Sequence, residues 1–163
     1  DKEVEYLLDI FRGTVKKCRK KFQKDKVHFT HFGRKDRLPS DIVQQIEQLE
    51  AETKDFDQYY VNLALDYGGQ DEIIRAINRA VESGANPGTI TEDTFTELLD
   101  TKGMPNPDLI IRTSGEKRLS GLLPWQAVYA ELYFTNVKFP DFDSNELKTA
   151  VLDFSNRQRR FGA

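Results

Sequence analysis

Short apolar, β-branched runs alternate along this chain with longer stretches whose apolar residues recur at helical spacing. Residues 27–32, 59–66 and 109–111 are typical of strands, and helical stretches separate them. Strands separated by helices imply β-α-β units and therefore a parallel sheet covered by helices. The sequence thus predicts an α/β fold, which we expect to form a single domain over residues 1–163.

Five helical segments are predicted around these strands. The first is long and amphipathic, because apolar residues from Val4 to Phe22 keep a helical spacing over about five turns. The second opens at residues 39–41, with Ser40 as the expected cap. The later apolar stripes are Ile73, Ile74, Ile77, Ala80 and Val81, then Phe95, Leu98 and Leu99, and finally Leu147, Ala150, Val151 and Phe154.

Composition narrows the class of protein. The chain is 38% hydrophobic and 31% charged with a formal net charge of −3, as in ordinary globular proteins, so no global attraction to nucleic acid or acidic membranes is expected. The single cysteine, Cys18, rules out a disulfide within these residues and favours a cytoplasmic location. No run approaches the roughly 20 apolar residues of a membrane-spanning helix.

The strand at 109–111 leads directly into Arg112 and a polar loop that reaches Ser120. Arginine offers a planar fork of donors for phosphate oxygens, hydroxyl groups add neutral donors, and glycine lets the backbone approach closely. Ligands of parallel sheets bind at the carboxyl ends of strands, where this loop and the turn at 67–69 both lie. The loop is therefore typical of a phosphate or diphosphate site, on which Arg112, Arg118 and Ser120 can converge if the loop folds back, although residue types alone favour an ordinary surface ion pair for Arg112.

Several motifs of this chain resemble the cis-prenyltransferases, the undecaprenyl and polyprenyl diphosphate synthases. They run in the family's order over most of the chain, at 62–69, 108–120, 123–126, 130–134, 139–142 and 159–162. The resemblance implies a cis-prenyltransferase-like parallel sheet. It also implies condensation of isopentenyl diphosphate with an allylic diphosphate, such as farnesyl or geranylgeranyl diphosphate, giving a polyprenyl diphosphate and pyrophosphate.

The resemblance also assigns roles within the polar loop. The family residues that match Arg112, Arg118 and Ser120 hold the diphosphate of isopentenyl diphosphate. Glu116 equally fits a ligand-side group or a local partner for Arg118. An aromatic residue beside an apolar run packs more often than it stacks on substrate, so Trp125 is expected to pack.

Glu131 is a lone carboxylate in an apolar segment, which is costly to bury unless it is paired or bound to metal. A structural salt bridge is one interpretation. The resemblance favours the other, because the matching family residue helps to bind magnesium and Mg²⁺ is the implied cofactor. The element at Arg160 to Gly162 matches one that reaches into the partner's site of a dimer, so a homodimer is implied. Asn62 lies in the family's central motif and takes no assigned role.

The chain departs from the family in what it lacks. Cis-prenyltransferases carry an Asp-Gly-Asn-type loop near their start, which binds the allylic diphosphate and supplies a second magnesium carboxylate, and no such loop occurs in these 163 residues. We therefore expect a carboxyl-terminal portion of a synthase that is inactive alone, with its catalytic residues upstream and membrane contact through its lipid product. A noncatalytic subunit of a heteromeric synthase is one alternative. A non-enzymatic phosphate-ligand or nucleic-acid binding module is the other.

Overall fold

The computed structural model describes residues 2–158, which fall into two compact units, Asp1–Tyr67 and Gly68–Ala163. The first unit contains α1 (Lys2–Asp25), β1 (Val27–Phe32), α2 (Ser40–Thr53) and β2 (Tyr59–Ala64). The second contains α3 (Gly69–Glu82), α4 (Glu92–Thr96), β3 (Leu109–Arg112), β4 (Glu131–Phe134), a 3-10 turn (Phe139–Asp141) and α5 (Ser144–Ser155). That the two units form one domain stays a prediction.

In the first unit β1 and β2 pair in parallel, from Val27 opposite Tyr59 to Phe32 opposite Ala64. Helices α1 and α2 cover this pair because their apolar faces pack on Phe29, which is 4% exposed. The core is completed by buried residues of the two helices, Leu8, Val15, Ile42, Ile46 and Leu49. The predicted strands and helices of this half of the chain are confirmed.

Ser40 is not the cap of α2, so that prediction is wrong. The helix begins at Ser40 itself, and Pro39 occupies the cap position without any side-chain hydrogen bond. The Pro39 carbonyl accepts hydrogen bonds from Ile42 N at 3.0 Å and Val43 N at 3.1 Å, which starts the helix one residue early. A proline ring has no acceptor, so the amino end of α2 lacks the side-chain cap that the sequence suggested.

In the second unit β3 and β4 pair in parallel, with Leu109 opposite Glu131 and Arg112 opposite Phe134. Trp125 packs on Phe95 with ring centroids 4.7 Å apart, as expected from the sequence. A small core of Ala76, Phe95 and Leu99 lies beneath this contact. No described helix of the chain is long and apolar enough to cross a lipid bilayer.

The predicted apolar stripe of α3 is wrong in part. Ile74 and Val81 are 58% and 72% exposed, whereas Ala76, Ala80 and Glu72 are buried. The helix turns Glu72 inward because partners for its carboxylate are available there, including the backbone N–H of Asp100. Hydrogen bonding to a buried carboxylate therefore sets the orientation of α3 more strongly than the isoleucine pattern does.

Candidate functional site

Arg112 is the last residue of β3, so its side chain lies at the carboxyl edge of the β3–β4 pair. Backbone bonds extend the pairing past this edge, since Thr135 N donates to Arg112 O over 2.9 Å. Gly115 N then donates to Thr135 O and Ser114 N to Val137 O, each over 2.8 Å. The first part of the polar loop is therefore fixed against the segment that follows β4.

Left-handed backbone conformations turn this loop. Ser114 has a φ of 68°, Ser120 a φ of 49° and Leu123 a φ of 48°. In residues other than glycine, strained conformations of this kind cost about 1–3 kcal/mol. They persist where surrounding contacts enforce them, and they cluster at ligand sites. Gly115 has a φ of 74°, and a Cβ there would lie 2.9 Å from Asn136 Oδ1, so the turn needs glycine.

The structure brings together two of the three predicted loop residues. Arg112 Nη1 donates to Ser120 Oγ over 3.2 Å, which joins the two ends of the loop. Arg118 points elsewhere and forms an ion pair with Glu116, with side chains 62% and 45% exposed. Glu116 is thus a local partner for Arg118, one of the two interpretations that the sequence left open.

The far end of the loop is held by the amino end of α3. Gly69 N donates to Gly121 O over 2.8 Å. A Cβ on Gly69 would lie 2.0 Å from Pro124 Cδ, so only glycine permits this approach. Ser120 therefore lies next to a residue that is fixed on the amino end of a 14-residue helix, where the helix dipole favours negative charge.

Glu131 lies away from this pair of residues. It is the first residue of β4 and stands opposite Leu109, at the amino edge of the strands. Leu109 and Arg112 are three positions apart, which is about 10 Å along a strand. Because successive side chains of a strand point to opposite faces, these two also lie on different faces. The structure does not bring Glu131 and Arg112 together within the described part of the second unit.

Arg157 holds the Glu131 carboxylate. Its Nη1 donates to Glu131 Oε2 over 2.8 Å and to Leu132 O over 3.1 Å, and its guanidinium also pairs with Asp153. The hydrogen bonds that Arg157 donates to the carboxylates, chiefly to Glu131 and then to Asp153, raise the pKa of Arg157 above its ordinary value. The salt bridge weighed in the sequence is therefore present, with Arg157 as the partner.

Glu131 remains chemically suited to magnesium. Its side chain is 30% exposed, and Mg²⁺ is usually bound by one or two carboxylates together with substrate phosphates. Among the side chains that the structure describes, no group of three potential metal ligands occurs. The Glu131 carboxylate therefore fits as one ligand of magnesium, and Arg157 competes with the ion for that carboxylate.

Two predicted residues, Arg160 and Gly162, lie outside the described residues. A groove of about 740 Å³ in the second unit is lined by none of the predicted site residues. It lies between α4 and residues 125–129, and its acidic side chains, Glu92, Asp93 and Glu97, make it unsuitable for a diphosphate.

Sequence reasoning missed a buried polar network behind the loop. Gln126 Nε2 donates to Glu72 Oε2 over 3.1 Å and to Thr101 Oγ1 over 2.8 Å. All three residues are at most 5% exposed. The one sequence signal was a carboxylate on a helix rich in isoleucine, and nothing in the local pattern indicated Gln126, which is 54 positions away.

Comparison of the chain with known proteins identifies its family. The family model described as "Putative undecaprenyl diphosphate synthase" matches residues 1–162. The isoprenyl transferase of Aquifex aeolicus (strain VF5) is 41% identical over 160 residues, which are 98% of this chain and 68% of that protein. The isoprenyl transferase of Fusobacterium nucleatum is 43% identical over the same shares of the two chains.

Solved structures agree with these relatives. Lavandulyl diphosphate synthase from Lavandula x intermedia, crystallised with dimethylallyl diphosphate, aligns with a TM-score of 0.94 at 34% identity, covering 100% of this chain and 72% of that one. A probable undecaprenyl diphosphate synthase from Campylobacter jejuni aligns with a TM-score of 0.88 at 34% identity, covering 100% and 76%. The α/β fold with parallel strands is confirmed. The chain belongs to the cis-prenyltransferase family, whose members are enzymes that transfer prenyl groups.

Proposed function

We propose that the protein condenses isopentenyl diphosphate with an allylic diphosphate, such as farnesyl or geranylgeranyl diphosphate, to make a polyprenyl diphosphate and pyrophosphate. Family membership supports this class of reaction. The pairing of Arg112 with Ser120 at the carboxyl edge of β3 carries the assignment of the substrate site. It offers guanidinium and hydroxyl donors on a loop that is fixed at both ends.

The diphosphate of isopentenyl diphosphate binds Arg112 and Ser120 and draws in Arg118. Arg118 is available because its pair with Glu116 is exposed, and exposed ion pairs contribute only about 0–1 kcal/mol. A diphosphate carries more charge than one carboxylate and accepts several hydrogen bonds. Exchange of Glu116 for the substrate is therefore favourable, and it orients isopentenyl diphosphate for attack.

Glu131 would hold magnesium through its carboxylate, in place of its bond from Arg157. When bound, the ion would supply positive charge to phosphate oxygens. The chain's own arginines share that task, since Arg112 and Arg118 balance charge on the bound diphosphate.

A homodimer is part of the proposal. Apolar side chains are exposed on the second unit after residue 127, and a second copy offers them burial. They are Val128, Tyr129, Leu132, Phe139, Leu147, Val151 and Leu152. In this dimer Arg160 and Gly162 reach the partner's site.

We place the protein in the cytoplasm, in keeping with its free Cys18, with membrane contact through its lipid product.

The test is incorporation of labelled isopentenyl diphosphate into extractable prenyl product by the purified full-length protein, with farnesyl diphosphate and Mg²⁺. We expect products that grow in five-carbon steps with cis double bonds, and no incorporation when either diphosphate is left out. Incorporation only after a second polypeptide is added would assign a noncatalytic subunit instead. Binding of nucleic acid without any incorporation would support the non-enzymatic alternative.

A further inference from the structure

The second unit contains a buried polar network that the proposed reaction does not touch. Glu72 lies in the first turn of α3 and is 0% exposed, and Gln126 is 3% exposed. Glu72 Oε2 accepts from Gln126 Nε2 over 3.1 Å, while Glu72 Oε1 accepts from Asp100 N over 2.8 Å. Gln126 Nε2 also donates to Thr101 Oγ1 over 2.8 Å. The network joins α3, the turn at 100–101 and the segment that follows the polar loop.

A contribution to folding stability alone does not explain why this buried polar network is present. Burying a carboxylate costs several kcal/mol of hydration, and apolar side chains of similar volume often pack at least as favourably as a buried polar pair. What such a network adds is a preferred arrangement, because a rearrangement that breaks its bonds leaves further buried donors or acceptors without partners, beyond Gln126 Oε1, which has none among the described residues. The Glu72–Gln126 bond therefore defines where the segment around Gln126 lies on α3.

That segment leads directly back to the anion site. Turns connect it throughout, since Leu122 N donates to Leu119 O over 3.0 Å and Ala127 N donates to Leu123 O over 2.9 Å. Gly121 is tied to the amino end of α3 by the bond from Gly69 N. Ser120 precedes Gly121 and has a φ of 49°, a strained conformation that only its surroundings can hold.

We propose that Glu72 and Gln126 are positioning residues for the diphosphate site. Their hydrogen bond fixes residues 119–127 on α3 and so places Ser120 Oγ against Arg112. The inference rests on the proposed function, since it concerns the same anion site. It predicts that the pair controls affinity for a diphosphate through a contact that lies outside the site.

An exchange of the two side chains tests this inference. Glu72→Gln alone leaves one acceptor oxygen at position 72 for the two donors Asp100 N and Gln126 Nε2, and Gln126→Glu alone sets two buried carboxylates against each other. The double variant restores one amide and one carboxylate, with the amide at position 72 still able to accept from Asp100 N. Affinity for inorganic pyrophosphate is measured by titration calorimetry on the full-length protein, together with the thermal midpoint.

We expect each single variant to weaken pyrophosphate binding by about tenfold, and the double variant to recover most of that loss. The KM for isopentenyl diphosphate should follow the same pattern while kcat changes little. Gln126→Met removes the amide without adding charge and gives the same loss of affinity if Gln126→Glu does not fold.

The control is Thr53→Val in the first unit. Thr53 is also 0% exposed and accepts from Phe29 N over 3.1 Å, so its loss lowers the thermal midpoint without any expected change in pyrophosphate affinity. Lower midpoints with unchanged affinity in the Glu72 and Gln126 variants would overturn the inference. If Arg112→Ala also left the affinity unchanged, the proposed function would fail instead, so the two failures are distinguishable.

Discussion

At the scale of single residues, the two loop arginines differ in what they contact. Arg112 already donates to Ser120, whereas Arg118 is held by Glu116. Because an exposed carboxylate next to an anion site both repels the anion and competes for its arginine, Glu116 is expected to lower the affinity of the free enzyme for a diphosphate.

Glu116→Gln should therefore strengthen pyrophosphate binding, by up to about fivefold, given that an exposed pair is worth about 0.2–1 kcal/mol. The measurement is a titration of pyrophosphate into variant and wild-type protein. Glu97→Gln is the matched control, since Glu97 forms a comparable exposed pair with Lys102 at 3.7 Å. Weaker binding in Glu116→Gln would show instead that Glu116 acts on the ligand side.

Glu131→Ala should raise the magnesium concentration needed for half-maximal turnover by at least about tenfold, because it removes a proposed metal ligand. A magnesium titration of the rate measures this. Asp153→Asn removes a partner of Arg157 but no proposed metal ligand, so it should shift the titration much less than Glu131→Ala does. Equal shifts in both variants would assign the effect to Arg157 and not to magnesium.

Sequence reasoning reached part of this site. The family resemblance assigned Arg112 and Ser120 to one diphosphate site, whereas residue types alone favoured a surface ion pair for Arg112, and the structure places the two side chains in contact. The Glu131–Arg157 pair was foreseen only as an unspecified salt bridge, since the partner is 26 positions away on another element. Contacts between distant elements depend on packing that no local pattern records.

At the scale of elements, local patterns predicted most boundaries. The β-branched, apolar run at 27–32 predicted β1 and the apolar spacing at 147–154 predicted α5. Strand β4 was not predicted, because it begins at a charged residue, Glu131, and lacks the apolar run that marks the equally short β3, with which it pairs. The predicted buried face of α3 was wrong in part, because the buried carboxylate of Glu72 determines which face of the helix points inward.

Alanine substitutions at two glycines are expected to change the stability of the protein in opposite directions. Gly69→Ala should destabilise the protein by about 1–3 kcal/mol, because the new Cβ collides with Pro124 at the amino end of α3. Gly13→Ala should stabilise it by about 0.5–1 kcal/mol, since Gly13 lies within α1 with nothing within 4 Å of the added Cβ. Urea denaturation measures both, and a stable Gly69→Ala variant would contradict the close approach.

The amino end of α5 should lose stability in acid. Asp143 accepts from the backbone N–H groups of Glu146 and Asn145, and these bonds hold its pKa below the ordinary value of 3.8. A lowered pKa in the folded state contributes stability above 3.8 that disappears as pH falls through the folded value. The stability difference between wild type and Asp143→Asn should therefore shrink in acid, as followed by thermal midpoints across pH. A constant difference would contradict this cap.

At the scale of the whole molecule, assembly is the main expectation. The exposed side chains of Leu147 and Val151 lie one helical turn apart on α5, each 48% exposed. A charge placed in a dimer interface is costly to bury, so Val151→Glu should shift the protein towards monomer in sedimentation equilibrium. Val81→Glu, on α3 at 72% exposure, is the control and should leave the mass unchanged. A wild-type protein that sediments as a monomer would contradict the dimer.

The dependence of the reaction rate on isopentenyl diphosphate tests the central claim most directly. Arg112→Ala and Ser120→Ala are compared with wild type in the full-length protein, at saturating allylic diphosphate and Mg²⁺. Arg12→Ala is the control, because Arg12 already pairs with Glu5, Asp9 and Asp41 on the first unit. We predict that Arg112→Ala raises the KM for isopentenyl diphosphate by roughly 10- to 150-fold, the equivalent of one charged hydrogen-bonding group at 1.5–3 kcal/mol, that Ser120→Ala raises it less, and that Arg12→Ala does not raise it. An unchanged KM in Arg112→Ala would contradict the account.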